Sequence, residues 1–247
     1  MPGSTEQYLN EEIKKKKTLV FVLIDSEVSN STESTSLAKQ VQEIGASAIL
    51  VGGSSAIDQF EMLKVVENIK SSVSIPVILF PGNVSGIVPG ADAILFMSLL
   101  NSDNPYFISQ AQALGSYNVL KYGIEALPTA YIIIGNDTTA WFVGSAKGIP
   151  HNKPKIAAAY SLSAKFLGMR FVYLEAGSGA SQNVTPEMVQ TVRKVFDGFI
   201  IVGGGIGDAK IATSLANAGA DALVLGTILE KNNNLETLRD IINSIQK

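Results

Sequence analysis

Eight short apolar runs punctuate this chain at intervals, and a stretch with helical spacing lies between most of them. The runs are Leu19–Ile24, Ala48–Val51, Pro76–Phe80, Ala93–Met97, Thr129–Ile134, Phe171–Leu174, Phe199–Val202 and Ala222–Leu225. They lack the polar alternation of a half-exposed strand, so each reads as a strand buried on both faces, which suits a parallel sheet covered by helices. The helical stretches are Glu33–Ile44, Ala56–Lys70, Pro105 to about Leu120, Lys153–Leu167, Asp208–Ala218 and Leu235–Ile245. A further helix is opened by Thr185-Pro186, a capping hydroxyl followed by proline in the first turn. In the first of these Leu37, Val41 and Ile44 share a face, and Gly45 sits where a C-terminal cap belongs. Eight βα units in 247 residues match the usual size of a closed (β/α)8 barrel. A doubly wound open sheet is the rival arrangement. No linker or low-complexity segment interrupts the pattern, so we expect one domain over residues 1–247.

One crossover breaks the rule. Between Phe80 and Ala93 the chain reads Pro-Gly-Asn-Val-Ser-Gly-Ile-Val-Pro-Gly-Ala-Asp, with two prolines and three glycines. That composition leaves no room for a helix of ordinary length. The spacing predicts a modified barrel of TIM type whose third helix is replaced by an extended segment; a short distorted helix is the alternative.

Composition narrows the chemistry. There is no cysteine and a single histidine, His151, so a disulfide, a thiolate nucleophile and a multi-histidine metal site are excluded. The net charge of −3 argues against a nucleic-acid binder, which usually carries a basic face. Mean hydropathy is +0.24, yet no run approaches the roughly 20 apolar residues that span a bilayer. Lys14–Lys17 is followed by only six apolar residues before Asp25, so we expect no secretion signal, no transmembrane segment and a cytoplasmic protein. We read that lysine run as a solvated helix end on the face away from the site.

In barrels of this kind the site forms at the C-terminal ends of the strands. Glycine clusters follow four of those ends: Gly52-Gly53, Gly177 with Gly179, Gly203-Gly204-Gly205, and Gly226. Glycine permits close backbone approach, and successive exposed N–H groups cradle an anion. The loops after strands seven and eight are the common phosphate site of the fold. We therefore expect a phosphate there; tight βα turns are the plainer reading of the same glycines. Asp25 ends strand one and Ser54 ends the turn after strand two. A carboxylate and a hydroxyl suit Mg²⁺, which keeps waters and borrows oxygens from substrate phosphates; a structural cap is the alternative role for Asp25. Glu175, at the end of strand six, is the natural candidate base in a chain with so little histidine, with an ion pair or a backbone cap as its alternative. The run 135–150, with Trp141 and Phe142, is long enough for a lid, or else holds a short helix on the rim. His151 is given no catalytic role.

The segments Leu23-Ile24-Asp25, Val51-Gly52-Gly53-Ser54, Phe80-Pro81-Gly82, Ser98-Leu99-Leu100-Asn101-Ser102, Tyr173-Leu174-Glu175-Ala176-Gly177-Ser178-Gly179-Ala180, Val202-Gly203-Gly204-Gly205-Ile206 and Gly226-Thr227 occur in this order. Together, from about Lys17 to the C-terminus, they resemble the geranylgeranylglyceryl phosphate synthase family, which includes the bacterial heptaprenylglyceryl phosphate synthases. The Tyr173–Ala180 string is the most specific. The resemblance implies a modified barrel without its third helix. It implies transfer of a prenyl group from geranylgeranyl diphosphate to the 3-hydroxyl of sn-glycerol 1-phosphate, the first ether bond of archaeal membrane lipids.

Carried over by motif, Asp25 and Ser54 would bind Mg²⁺. Tyr173, Leu174, Glu175, Ala176, Gly177, Ser178 and Gly179, with Gly204, Gly205, Gly226 and Thr227, would hold the glycerol phosphate. Glu175 would take the hydroxyl proton, and Asn101 and Ser102 would lie near the prenyl diphosphate. The family also implies a homo-oligomer, dimer or hexamer, and product release suggests transient contact with a membrane. Where the family commonly has proline after the strand-one aspartate, this chain has Ser26. A longer heptaprenyl donor, and a sugar-phosphate isomerase or lyase on the same barrel, are the competing readings.

Overall fold

The computed structural model describes residues 2–25, 31–53, 58–226 and 234–246. Eight parallel strands, β1 (Leu19–Asp25), β2 (Ala48–Gly53), β3 (Val77–Pro81), β4 (Ala93–Leu99), β5 (Glu125–Ile133), β6 (Phe171–Glu175), β7 (Phe199–Gly203) and β8 (Ala222–Leu225), pair in sequence order and close into a barrel, β8 returning to β1. Closure decides between the two sheet arrangements left open above. The period of two along each strand sorts the apolar residues into two cores. Leu19 and Phe21 of β1, Leu50 of β2, Leu95 of β4, Phe171 and Tyr173 of β6 and Ile201 of β7 fill the interior. Their sequence neighbours Val20, Val22, Ile49, Val51, Val172 and Val202 face outward under the helices. This double burial is why the strands carry no polar alternation.

The outer ring comprises α2 (Ser31–Ile44), α3 (Gln59–Ser72), α4 (Ala111–Tyr122), the short α5 (Thr139–Val143), α6 (Pro154–Phe166), α7 (Pro186–Arg193), α8 (Ala209–Asn217) and α9 (Leu235–Ile245). A first helix, α1 (Ser4–Lys16), closes the far end of the barrel: Leu9 is fully buried in the interior core and Tyr8 and Ile13 pack beside it. Its free N-terminal amides are taken up by Glu125, whose carboxylate accepts from Thr5 N at 2.6 Å and Glu6 N at 3.1 Å. Lys14, Lys15 and Lys16 fall in its last turn, where positive charge suits the helix dipole.

The third crossover holds only one 3₁₀ turn, Val84–Gly86, so the extended segment expected from its prolines and glycines is present. Its absent helix has a counterpart in the sheet. β3 and β4 share only two register pairs, Ile78↔Ala93 and Leu79↔Ile94, while β4 and β5 run together from Ala93↔Glu125 to Leu99↔Tyr131. Above Leu79 the two strands splay apart. Their feet are pinned by Asp92, whose Oδ2 accepts from Val77 N at 2.8 Å while Lys70 Nζ lies 2.6 Å from Oδ1.

Several boundaries differ from the sequence reading. β5 begins at Glu125, not Thr129, and runs through Pro128. The proline is tolerated because β6 starts opposite Thr129, so its missing N–H faces no paired strand residue. The helix expected from Pro105 opens as a π turn, Tyr106–Gln110, before α4. α3 begins at Gln59 with Asp58 as its cap, accepting from Phe60 N and Glu61 N; Ala56 and Ile57 lie outside the described residues.

Candidate active site at the barrel mouth

The inward parity that fills the interior continues to the C-terminal rim and places a carboxylate there. Glu175 follows Phe171 and Tyr173 on the inner face of β6, opposite Gly203 of β7 and Ile133 of β5. It is 6% exposed, unusual for a glutamate that forms no ion pair among the described residues. Its Oε1 accepts from Gly177 N at 2.5 Å, and the phenols of Tyr173 and Tyr131 hydrogen-bond the carboxylate. Burial still dominates and holds its pKa above the usual glutamate range. The same burial, with the glutamate's charge next in size, pushes both phenols well above the ordinary tyrosine value, so they remain donors. A carboxylate kept basic in a dry pocket and oriented by three donors is equipped to take a proton. Tyr131 was not recognised from the sequence. It reaches the site because β5 pairs Tyr131 with Tyr173, their rings meeting edge to face at 5.1 Å.

Glycines around the carboxylate are spatial requirements. Gly204 has φ +90°, and a Cβ there would stand 2.4 Å from Gly177 N and 2.7 Å from Glu175 Oε1. Gly177 has φ +100°, and a Cβ there would run into the Thr138 side chain at 2.4–2.5 Å. The turns after β6 and β7 thus pack backbone on backbone, and Asn183 Nδ2 ties them by donating to Gly205 O. His151 Nδ1 lies 3.0 Å from Asn183 O, so the sole histidine serves this scaffold. Thr138 Oγ1 is buried beside Gly177 with no hydrogen-bond partner among the described residues.

The remaining expected residues divide clearly. Leu174 and Ala176 bury their side chains in the outer core and Ala176 N donates to Gly203 O, so they shape the turn from behind. Ser178 and Gly179 lie in the turn, exposed or nearly so. Gly226 follows β8; Thr227 and Ser54 lie outside the described residues, as does Ser26. Asp25 ends β1 with inward parity, opposite Gly52. Among the described residues no three carboxylates or histidines cluster. One strand-end carboxylate fits an ion such as Mg²⁺ only if a substrate supplies most of the oxygens. Asn101 is buried and fully used: Nδ2 donates to Ile133 O and Lys147 O at 2.9 Å, and Oδ1 accepts from Ile133 N at 3.0 Å. Ser102 Oγ donates to Gly144 O at 2.6 Å. Both residues therefore bind the run 135–150 to the end of β4. That run contains α5, and bridges at Ser102↔Ala146 and Ile134↔Ile149 stitch it down, so it is a built rim element and not a free lid.

Beside Glu175 the splay between β3 and β4 opens into a slit. Phe80, Met97 and Tyr131 line its inner end, and Val84, Ile87, Phe96, Ala111 and Gln112 its outer end, where the third helix would have packed. Its volume is about 160 Å³ and the lining is mainly apolar. Phe80 bridges the slit to the carboxylate site, stacked on Tyr173 at 5.5 Å. The π turn forms the outer wall: Gln112 Nε2 captures Phe107 O at 3.0 Å and Ser98 Oγ captures Ile108 O at 2.6 Å, satisfying carbonyls of the wider turn. A buried acid, glycine turns suited to a phosphate, and an apolar slit meet at one mouth.

Comparison with known proteins agrees with this arrangement. The model of the PcrB family matches residues 11–245. A geranylgeranylglyceryl phosphate synthase of Nitrosopumilus maritimus is 68% identical over 245 residues, 99% of this chain and 98% of the relative. One from Cenarchaeum symbiosum is 61% identical, with 98% of each chain covered. The crystal structure of (S)-3-O-geranylgeranylglyceryl phosphate synthase from Thermoplasma acidophilum, in complex with its substrate sn-glycerol-1-phosphate, superposes with a TM-score of 0.92 at 38% identity, covering 96% of this chain and 98% of that one.

Proposed function

The chain belongs to the PcrB family, and we infer that it is a prenyltransferase of archaeal ether-lipid synthesis. It transfers geranylgeranyl from geranylgeranyl diphosphate to the 3-hydroxyl of sn-glycerol 1-phosphate and releases diphosphate. The observation that carries the mechanism is Glu175, buried, hydrogen-bonded by two tyrosines and an amide, and standing between glycine turns and an apolar slit.

In this reading the glycine turns, Tyr173 to Gly179 with Gly204, Gly205, Gly226 and Thr227, hold the glycerol phosphate through backbone N–H groups. Thr138, missed by the sequence reading, offers its unpartnered hydroxyl to the same ligand. Anchoring the phosphate aims the 3-hydroxyl, so the attack is effectively intramolecular. Glu175 removes the hydroxyl proton as the oxygen bonds to the allylic C1, and the C1–O bond to diphosphate breaks. Asp25 and Ser54 would hold Mg²⁺, which when bound neutralises the departing diphosphate. Asn101 and Ser102 act at one remove, by fixing the rim beside the diphosphate. The slit takes the prenyl tail.

No helix among the described residues is long and apolar enough to cross a membrane. We expect the reaction to run in the cytoplasm, with exposed Phe142 and Val143 on the rim touching the bilayer as lipid leaves. The exposed stripe Leu114, Tyr117 and Leu120 on α4 supports self-association as a dimer or hexamer. Incubation with labelled geranylgeranyl diphosphate, sn-glycerol 1-phosphate and Mg²⁺ should yield an ether-linked product. No product with any prenyl donor would refute the reading; product with sn-glycerol 3-phosphate but not the 1-phosphate would refute the acceptor.

A further inference from the structure

We propose that Gly115 and Ile87 form the gauge at the outer end of the prenyl slit that sets how long a donor this chain accepts. The inference rests on the placement of the tail in the slit. Gly115 sits within α4, where glycine costs stability relative to alanine. Its φ is not positive, so backbone freedom does not explain it. Space does: a Cβ there would stand 2.5 Å from Ile87 Cδ1, while Val84 Cγ1 is a comfortable 3.9 Å away.

Ile87 lies on the extended segment that replaces the third helix, and its side chain lines the slit. Its backbone is held from both sides, since Ile87 N donates to Val84 O at 3.2 Å and Ile87 O accepts from Gln59 Nε2 at 3.3 Å. The segment therefore stays in place when α4 gains bulk. The flexible tip of Ile87 yields instead, and the open space available to it is the slit. Glycine at 115 lets Ile87 lean back against α4 and leaves the outer end clear for the last isoprene unit. A donor one unit shorter ends before this point.

The test compares wild type with Gly115→Val, Ile87→Phe and the double variant Gly115→Val/Ile87→Ala. Binding of farnesyl and geranylgeranyl diphosphate is titrated calorimetrically with acceptor withheld, and turnover with each donor is followed in parallel. Gly115→Val should weaken geranylgeranyl diphosphate binding at least tenfold and farnesyl diphosphate binding less than threefold. Ile87→Phe narrows the same point with the sequence of α4 unchanged and should give the same pattern. The double variant should return geranylgeranyl diphosphate to within threefold of wild type. Equal weakening of both donors, unchanged binding in folded variants, or no recovery in the double variant would overturn the gauge. If wild type binds neither donor and makes no ether, the functional reading itself fails, and the gauge with it; if it turns over and only the selectivity stays fixed, the gauge alone is wrong.

Discussion

Replacing Glu175 by glutamine separates what the carboxylate does for the reaction from what it costs the fold. Glutamine keeps the shape, and its carbonyl can still accept from Gly177 N; its amide can meet the phenols of Tyr131 and Tyr173, which accept as well as donate. The barrel rim should therefore survive and acceptor binding should stay within about threefold, since the chemistry alone is removed. General base catalysis contributes about 10²–10⁴-fold, or about 2.7–5.5 kcal/mol of barrier, so turnover should fall by that factor. In wild type, activity should decline toward acid as Glu175 takes up a proton, at a pH above the usual glutamate range because burial raises its pKa. The variant should lack that limb.

Stability moves the other way. A carboxyl whose pKa is raised by folding stabilises the fold fully below its unfolded pKa, and that contribution is lost as pH rises through the folded value. The glutamine variant has nothing to ionise, so its unfolding free energy should gain on wild type across that window and hold the gain at neutral pH. Product formation from labelled donor, with denaturant unfolding at several pH values, reads both effects. A folded Glu175→Gln protein with turnover within tenfold of wild type, or with the same acid limb, would refute the assignment.

Other substitutions test the surroundings. Gly204→Ala forces a side chain into the positive-φ region and onto Gly177 N and Glu175 Oε1, so it should cost about 1–3 kcal/mol in denaturant unfolding and abolish tight sn-glycerol 1-phosphate binding by calorimetry. Asp25→Asn should lower turnover more than about a hundredfold at fixed Mg²⁺ while leaving sn-glycerol 1-phosphate binding within threefold; an unchanged Mg²⁺ titration would remove Asp25 from the metal.

The strands and the missing third helix were legible because their causes are local. An apolar run of four to six residues cannot hide its burial, and Pro81, Gly82, Gly86, Pro89 and Gly90 together leave no room for a helix. Glu175 was legible because it shares a short string with its glycines. Tyr131 was not, since its role depends on register with a strand forty residues on. Nor was the π turn, because a single widened turn ahead of α4 is too short to leave a period of its own in the sequence, and its hold comes from Ser98 and Gln112 on other elements. Asn101 shows the converse: the motif singled it out, and in the structure its hydrogen bonds build the rim.

The short ladder between β3 and β4 also has a mechanical meaning. Every other joint of the barrel carries at least three register pairs, whereas this one carries two, both near the foot held by Asp92. The ring is consequently a split collar, able to flex at one joint without unravelling elsewhere. Amide protons of the upper half of β4 that face the gap should exchange with solvent ahead of those between β6 and β7. A long, supple hydrocarbon needs a wall that can spread as it threads in and relax behind it, and a fully laced barrel has no such joint.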